Sequence, residues 1–157
     1  MGNDYSVLIN VEYVDNKFTV RQIDFFSKME LMELCGWGIQ IFKKLSPDKI
    51  MVDMIGVGAG VHDRLKEQGY PVVGVNVAES PCMGGEDFKN KKGEMYWHLR
   101  GLFERQEILI PKIPNHTKLL AELSSMKYKY DSGGKLQIVD PDKSPDFADA
   151  LALACYG

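Results

Sequence analysis

The stretch that most constrains this chain is Ile50-Met51-Val52-Asp53-Met54-Ile55-Gly56-Val57-Gly58-Ala59-Gly60. A short apolar run ends in one carboxylate and opens into a glycine-spaced turn. A run of this length, punctuated by glycines, reads as a buried strand, and an α/β sheet exposes its functional edge at the carboxyl ends of such strands. Glycine lacks a Cβ, so another backbone, a phosphate or a metal can approach closely just past the acid. Near the other end, Ser144-Pro145-Asp146-Phe147-Ala148-Asp149-Ala150 places two more carboxylates at the start of a helix. If the fold brings these two places together, the chain carries an acidic site suited to a divalent cation.

The flanking pattern supports an α/β reading. β-branched residues from Tyr5 to Tyr13 give a strand, residues 14–17 a turn, and Phe18 to Phe26 the returning strand of a hairpin. Ser27 is expected to cap a helix running to Leu45, with Glu30 completing a capping box. A strand over 49–53, a helix over 61–68 closed by Gly69, and a strand over 72–75 form a unit that predicts parallel neighbours. Residues 77–90 read as a loop, 92–105 as a helix, 108–110 as a short strand and 116–125 as a helix. Tyr128 and Tyr130 fall on one face of a strand that turns at 131–134 and returns over 136–139. A last helix runs from Ser144. The expected fold class is therefore α/β, a mixed sheet with flanking helices, and 157 residues make one domain with room for its own core.

Composition narrows function only at the margins. A net charge of −3 leaves no global footprint of a nucleic-acid binder, although a local basic strip can still hold phosphates. The three cysteines, Cys35, Cys82 and Cys155, have no zinc-ligand spacing and no even count for a disulfide framework, which favours a reducing, cytosolic compartment. Neither a basic, apolar leader nor a bilayer-length apolar run is present in the sequence.

Asp53 has a plain alternative, a strand-end acid that accepts hydrogen bonds from its own turn. The functional alternative is a ligand for Mg2+ or Mn2+, which favour carboxylate oxygens. Glycines 56, 58 and 60 do not reproduce the dinucleotide-binding fingerprint, because Val61 stands at its sixth position and no acid stands near Asn76. Asp146 is explained equally well by the helix dipole, with Ser144 as N-cap and Pro145 as first helical residue. Asp149 lies about a turn further along beside an apolar run, where an acid is costly unless something positive compensates it. Lys89, Lys91, Lys92, Arg100 and Arg105 cluster in one loop and helix, and Lys127, Lys129 and Lys135 accompany the late tyrosines. Either group is a solvated face or a track for a phosphate backbone. His62, His98 and His116 show no ligand spacing.

Taken in order, several blocks resemble the C-terminal nuclease domain of phage large terminases: Asp53-Met54-Ile55-Gly56-Val57-Gly58-Ala59-Gly60-Val61-His62-Asp63-Arg64-Leu65, then Pro71 to Asn76, Phe88 to Trp97, Ile108 to Pro111, and Ser144 to Leu151. The resemblance implies a ribonuclease H-like fold and an acidic cluster that binds two divalent ions, Mg2+ or Mn2+. It further implies cleavage of concatemeric double-stranded DNA during genome packaging. Asp53 and Asp146 would be metal ligands, with Asp149 a third ligand or a supporting acid, and Lys89, Lys91 and Lys92 would lie near the phosphate backbone. One ion would activate water and the other stabilise the leaving oxygen, about 4 Å apart. The implied partners are an ATPase domain, a small terminase subunit and the portal, in the host cytoplasm. The family also carries a catalytic aspartate on a strand ahead of a motif like Gly2-Asn3-Asp4-Tyr5-Ser6-Val7. Here Asp4 matches only the later, non-catalytic acid, so residues 1–157 read as a single domain without that strand. With so few acids the site would bind metal weakly, and the alternative is an inactive module of the same fold that docks DNA or a portal.

Overall fold

A computed structural model describes residues 5–27, 29–55, 57–82 and 85–156. Strand β1 (Tyr5–Val14) and β2 (Lys17–Ser27) form an antiparallel hairpin, turning through Asp15 and Asn16, both at positive φ. Helix α1 (Leu31–Leu45) follows, then β3 (Ile50–Asp53), α2 (Gly58–Glu67) and β4 (Val72–Val75). Strands β3 and β4 pair in parallel from Ile50 opposite Val72 to Asp53 opposite Val75, as the strand–helix–strand pattern requires. Then come α3 (Lys91–Glu104), β5 (Ile108–Leu109), α4 (His116–Ser125), the hairpin β6 (Lys127–Tyr130) and β7 (Leu136–Val139), and α5 (Asp146–Tyr156).

Among the described residues the strands form three ladders. β5 joins the opening hairpin in parallel with β2, giving the order β1-β2-β5; β3-β4 and β6-β7 stand as separate pairs. Helix α5 binds the parts together. It is apolar nearly all round, and Phe147, Ala148, Leu151, Ala152, Leu153 and Cys155 are buried. Around it lie Val20 and Ile23 of β2, Met95, Tyr96, Leu99 and Leu102 of α3, and Leu119 of α4. The rings of Tyr5, Phe25 and Phe147 meet edge-on, with Phe25 centred 5.2 Å from Tyr5 and 5.3 Å from Phe147.

Two local expectations are corrected. Ser27 does not cap α1. It is the last residue of β2, opposite Tyr5, and Glu30 holds the N-cap position without a side-chain hydrogen bond. Ladder pairing carries the strand through Ser27, so no capping box forms. Ser144 likewise does not cap α5: the helix begins at Asp146, the Pro145 carbonyl accepts from the Asp149 N–H, and the Ser144 hydroxyl donates instead to the Asp146 carboxylate. The expected loop over 77–90 contains a parallel bridge between Phe88 and Leu136, which ties it to β7.

Candidate functional site

Asp53 ends β3, and its Oδ1 accepts the Ile55 N–H at 3.0 Å. The turn then enters α2 so tightly that a Cβ on Gly58 would lie 1.6 Å from the Asp53 carbonyl oxygen. Here a glycine serves close backbone approach, and the approaching backbone is the chain's own. Gly56 lies outside the described residues. Burial raises the Asp53 carboxyl above its ordinary value, opposed by the Ile55 N–H and the charge of Lys92.

Asp146 and Asp149 occupy the first turn of α5. Asp146 Oδ2 accepts the Tyr5 N–H at 2.8 Å, and its Oδ1 accepts the Ser144 hydroxyl at 2.6 Å. The acid is thereby fixed against the start of β1. Asp149 Oδ1 accepts the Tyr96 hydroxyl from α3. Burial raises the Asp149 carboxyl, Lys92 and Tyr96 pull it back, and the neighbouring charges of Asp146 and Asp53 push it up again. Burial and Asp149 together push the Tyr96 hydroxyl up as well, so it stays a donor.

Asp53, Asp146 and Asp149 thus line a single cleft together with Lys92, and Asp149 feels the charges of the other two acids. Lys92 was expected at a phosphate; its Nζ lies 2.5 Å from Asp140 Oδ1, and its charge is felt at Asp53 and Asp149. Lys91 pairs with Glu79 at 3.2 Å, and Lys89 is exposed, its N–H donating to the Leu136 carbonyl. The late hairpin does not form a mixed basic–aromatic strip. Successive residues of a strand face opposite sides, so Lys127 and Lys129 point away from the tyrosine face. On that face Tyr128 lies edge-on to Trp97, and the Arg100 guanidinium sits 4.6 Å from the Trp97 ring centre. Asp4 lies outside the described residues.

Sequence reasoning missed Glu122. From α4 its Oε1 accepts the Phe147 and Ala148 N–H groups at 2.7 and 3.0 Å, a cap for α5 supplied from another helix. Burial raises its carboxyl, the two N–H groups lower it, and Asp146 and Asp149 raise it. No local pattern marks Glu122, because its partners lie 25 and 26 residues away.

In kind, these oxygen donors fit a hard divalent cation. In number they fall short: among the described residues no three acidic, histidine or cysteine side chains are grouped to hold a metal ion. Asp146 and Asp149 also direct oxygens at protein donors.

No protein-family model and no curated protein matches the chain. Solved structures do. The nuclease domain of the large terminase subunit gp2 of bacterial virus Sf6 superposes with a TM-score of 0.75 at 20% identity, over 98% of this chain and 89% of that one. The large terminase nuclease of thermophilic phage G20c, with bound magnesium, gives 0.67 at 17% identity, over 96% and 80%. The HK97 bacteriophage large terminase gives 0.67 at 12% identity, over 97% of this chain but 36% of that longer one. Versions of the Sf6 domain have been solved with manganese and with calcium, and the G20c nuclease also with cobalt. The chain has the mixed α/β, ribonuclease H-like fold of phage large-terminase nuclease domains.

Proposed function

We propose that this chain is the nuclease part of a DNA-packaging terminase, with Asp53, Asp146 and Asp149 as its metal-binding acids. The single observation that carries this reading is the convergence, in one cleft, of an acid from the end of β3 with two from the first turn of α5. Burial raises the Asp53 and Asp149 carboxyls, and the charges of Asp146 and Asp53 raise Asp149 further, a costly arrangement that a bound cation relieves. Mg2+ or Mn2+ suits their oxygens. Double-stranded DNA is the substrate in this reading, with Lys89, exposed, and Lys91 meeting phosphates and Lys92 lining the cleft that holds the acids. An ATPase domain, a small terminase subunit and a portal are the partners in this reading, and the host cytoplasm is its setting.

A second reading rests on the short count of grouped donors: an inactive module of the same fold that docks DNA or a portal. Nicking of supercoiled plasmid in Mn2+ separates the two. On the first reading the chain nicks and Asp53→Asn does not. Equal activity in both proteins removes Asp53 from the site, and no nicking by either favours the docking module.

A further inference from the structure

Helix α3 opens with two lysines, Lys91 and Lys92. The first turn of a helix favours acids, because its N–H groups present partial positive charge, so cations there cost the helix stability. For Lys91 an ion pair with Glu79 offsets that cost. Lys92 stands elsewhere. Its N–H donates to the Val77 carbonyl at 2.9 Å, just past Val75, which lies opposite Asp53 in the β3–β4 ladder. The Lys92 backbone is thereby pinned beside the strand end that carries the acid. One turn further along α3, Tyr96 gives its hydroxyl to Asp149. Residues four apart share a helix face, so Lys92 and Tyr96 address the same carboxylate, one by charge and the other by a hydrogen bond.

The ammonium stands between two sets of acids. Among the described residues it forms an ion pair with Asp140 alone, at 2.5 Å. Asp140 follows β7 and is no part of the cleft wall; 74% of its side chain is exposed, against 19% for Lys92. An ion pair with one partner in open water is weak and screened by salt. On the cleft side, Asp53 and Asp149 both feel the Lys92 charge. Each has one carboxylate oxygen, Oδ2, with no protein donor among the described residues, whereas Tyr5 and Ser144 take both oxygens of Asp146. A flexible four-carbon stem lets a lysine ammonium move between such anchors. A hard divalent ion seeks the same open oxygens.

We propose that Lys92 is a built-in competitor of the divalent ion: its ammonium serves as counter-ion to Asp53 and Asp149 when no metal is bound, and Asp140 weakens that competition by drawing the ammonium aside. Asp140 is then a positioning residue that acts through Lys92. The inference rests on the reading of these acids as metal ligands, and it sets the ion concentration at which their centre fills.

Two measurements on the 157-residue chain test it. The first is thermal melting in metal-free buffer at pH 8 and low salt. Lys92→Met should destabilise the parent more than it destabilises Asp149→Asn, because the lost partner is the Asp149 charge; relief of the helix dipole is common to both and cancels. Equal effects in the two backgrounds overturn the proposal, whatever the metal does. The second is Mn2+ affinity, read from the paramagnetic resonance of the free ion. Lys92→Met should bind about tenfold more tightly than the parent, Lys92→Arg should stay near it, and Asp140→Asn should bind more weakly. Lys92→Met combined with Asp140→Asn should match Lys92→Met, since Asp140 then has no ammonium to hold. Unchanged affinity in Lys92→Met, or an equal loss from Asp140→Asn with and without Lys92, overturns the proposal and leaves the metal reading in place. Absence of Mn2+ binding in every protein overturns the metal reading and the competition together. If Lys92→Met fails to fold, Asp140→Asn at its exposed position still decides, because affinity equal to or tighter than the parent's refutes the proposal.

Discussion

Asp149 is the residue on which the acidic end of the cleft turns, since one hydroxyl and one ammonium offset the burial of its charge. Tyr96→Phe removes the hydroxyl and leaves a buried carboxylate oxygen without its donor. The expected loss is about 1–3 kcal/mol, read as a lower urea midpoint at unchanged slope. Asp149→Asn tests the charge itself. A carboxyl whose folded value is raised binds its proton more tightly in the folded protein. Stability is therefore greatest with the proton on, and it falls as pH climbs from the ordinary carboxylate value through the raised one. Thermal melts without metal should show Asp149→Asn gaining on the parent at pH 8 and losing that advantage toward pH 4. The placement of Asp53 at a strand end and of Asp146 and Asp149 in the first turn of a helix was legible in the sequence, because each sits beside a local signal, a glycine turn or a helix start. Tyr96 was not, because it meets Asp149 across 53 positions and reads locally as one more apolar residue of a helix.

At the scale of elements, junctions carry the precision. Helix α2 begins against the Asp53 carbonyl only because residue 58 is glycine. Gly58→Ala must push the helix off β3, with an expected loss of about 1–3 kcal/mol and faster exchange of the amides of β3. Helix α5 depends on Glu122 in a comparable way. Glu122→Ala orphans two N–H groups in its first turn and should lower stability by about 1–2 kcal/mol, measured by urea unfolding, while Glu122→Gln keeps an acceptor and loses less. The opening hairpin and the parallel β3-α2-β4 unit were readable from period and punctuation alone. The caps at Ser27 and Ser144 were not. In each case a tertiary contact, a ladder or a carboxylate, claimed the residue that a local rule had reserved for the helix.

For the whole molecule, the readable part was the order of elements, and the unreadable part was that the strands of the described residues fall into three ladders. Nothing in the local periodicity of β1 or β3 says which strand each one pairs with. A prediction belongs to this scale too. If the acids bind Mn2+ with few ligands, millimolar Mn2+ should raise the melting temperature by only about 1–3 °C, and Asp53→Asn should abolish the rise.

The hydrogen bond from the Tyr5 N–H to Asp146 spans 141 positions. A chain emerging from the ribosome makes β1, its hairpin partner and β3 long before α5 exists. Until the final helix has left the tunnel, Asp53 stands without its companion acids, and the apolar surfaces of β1 and β2 lack the helix that covers them. The three acids therefore cannot meet before α5 has been made.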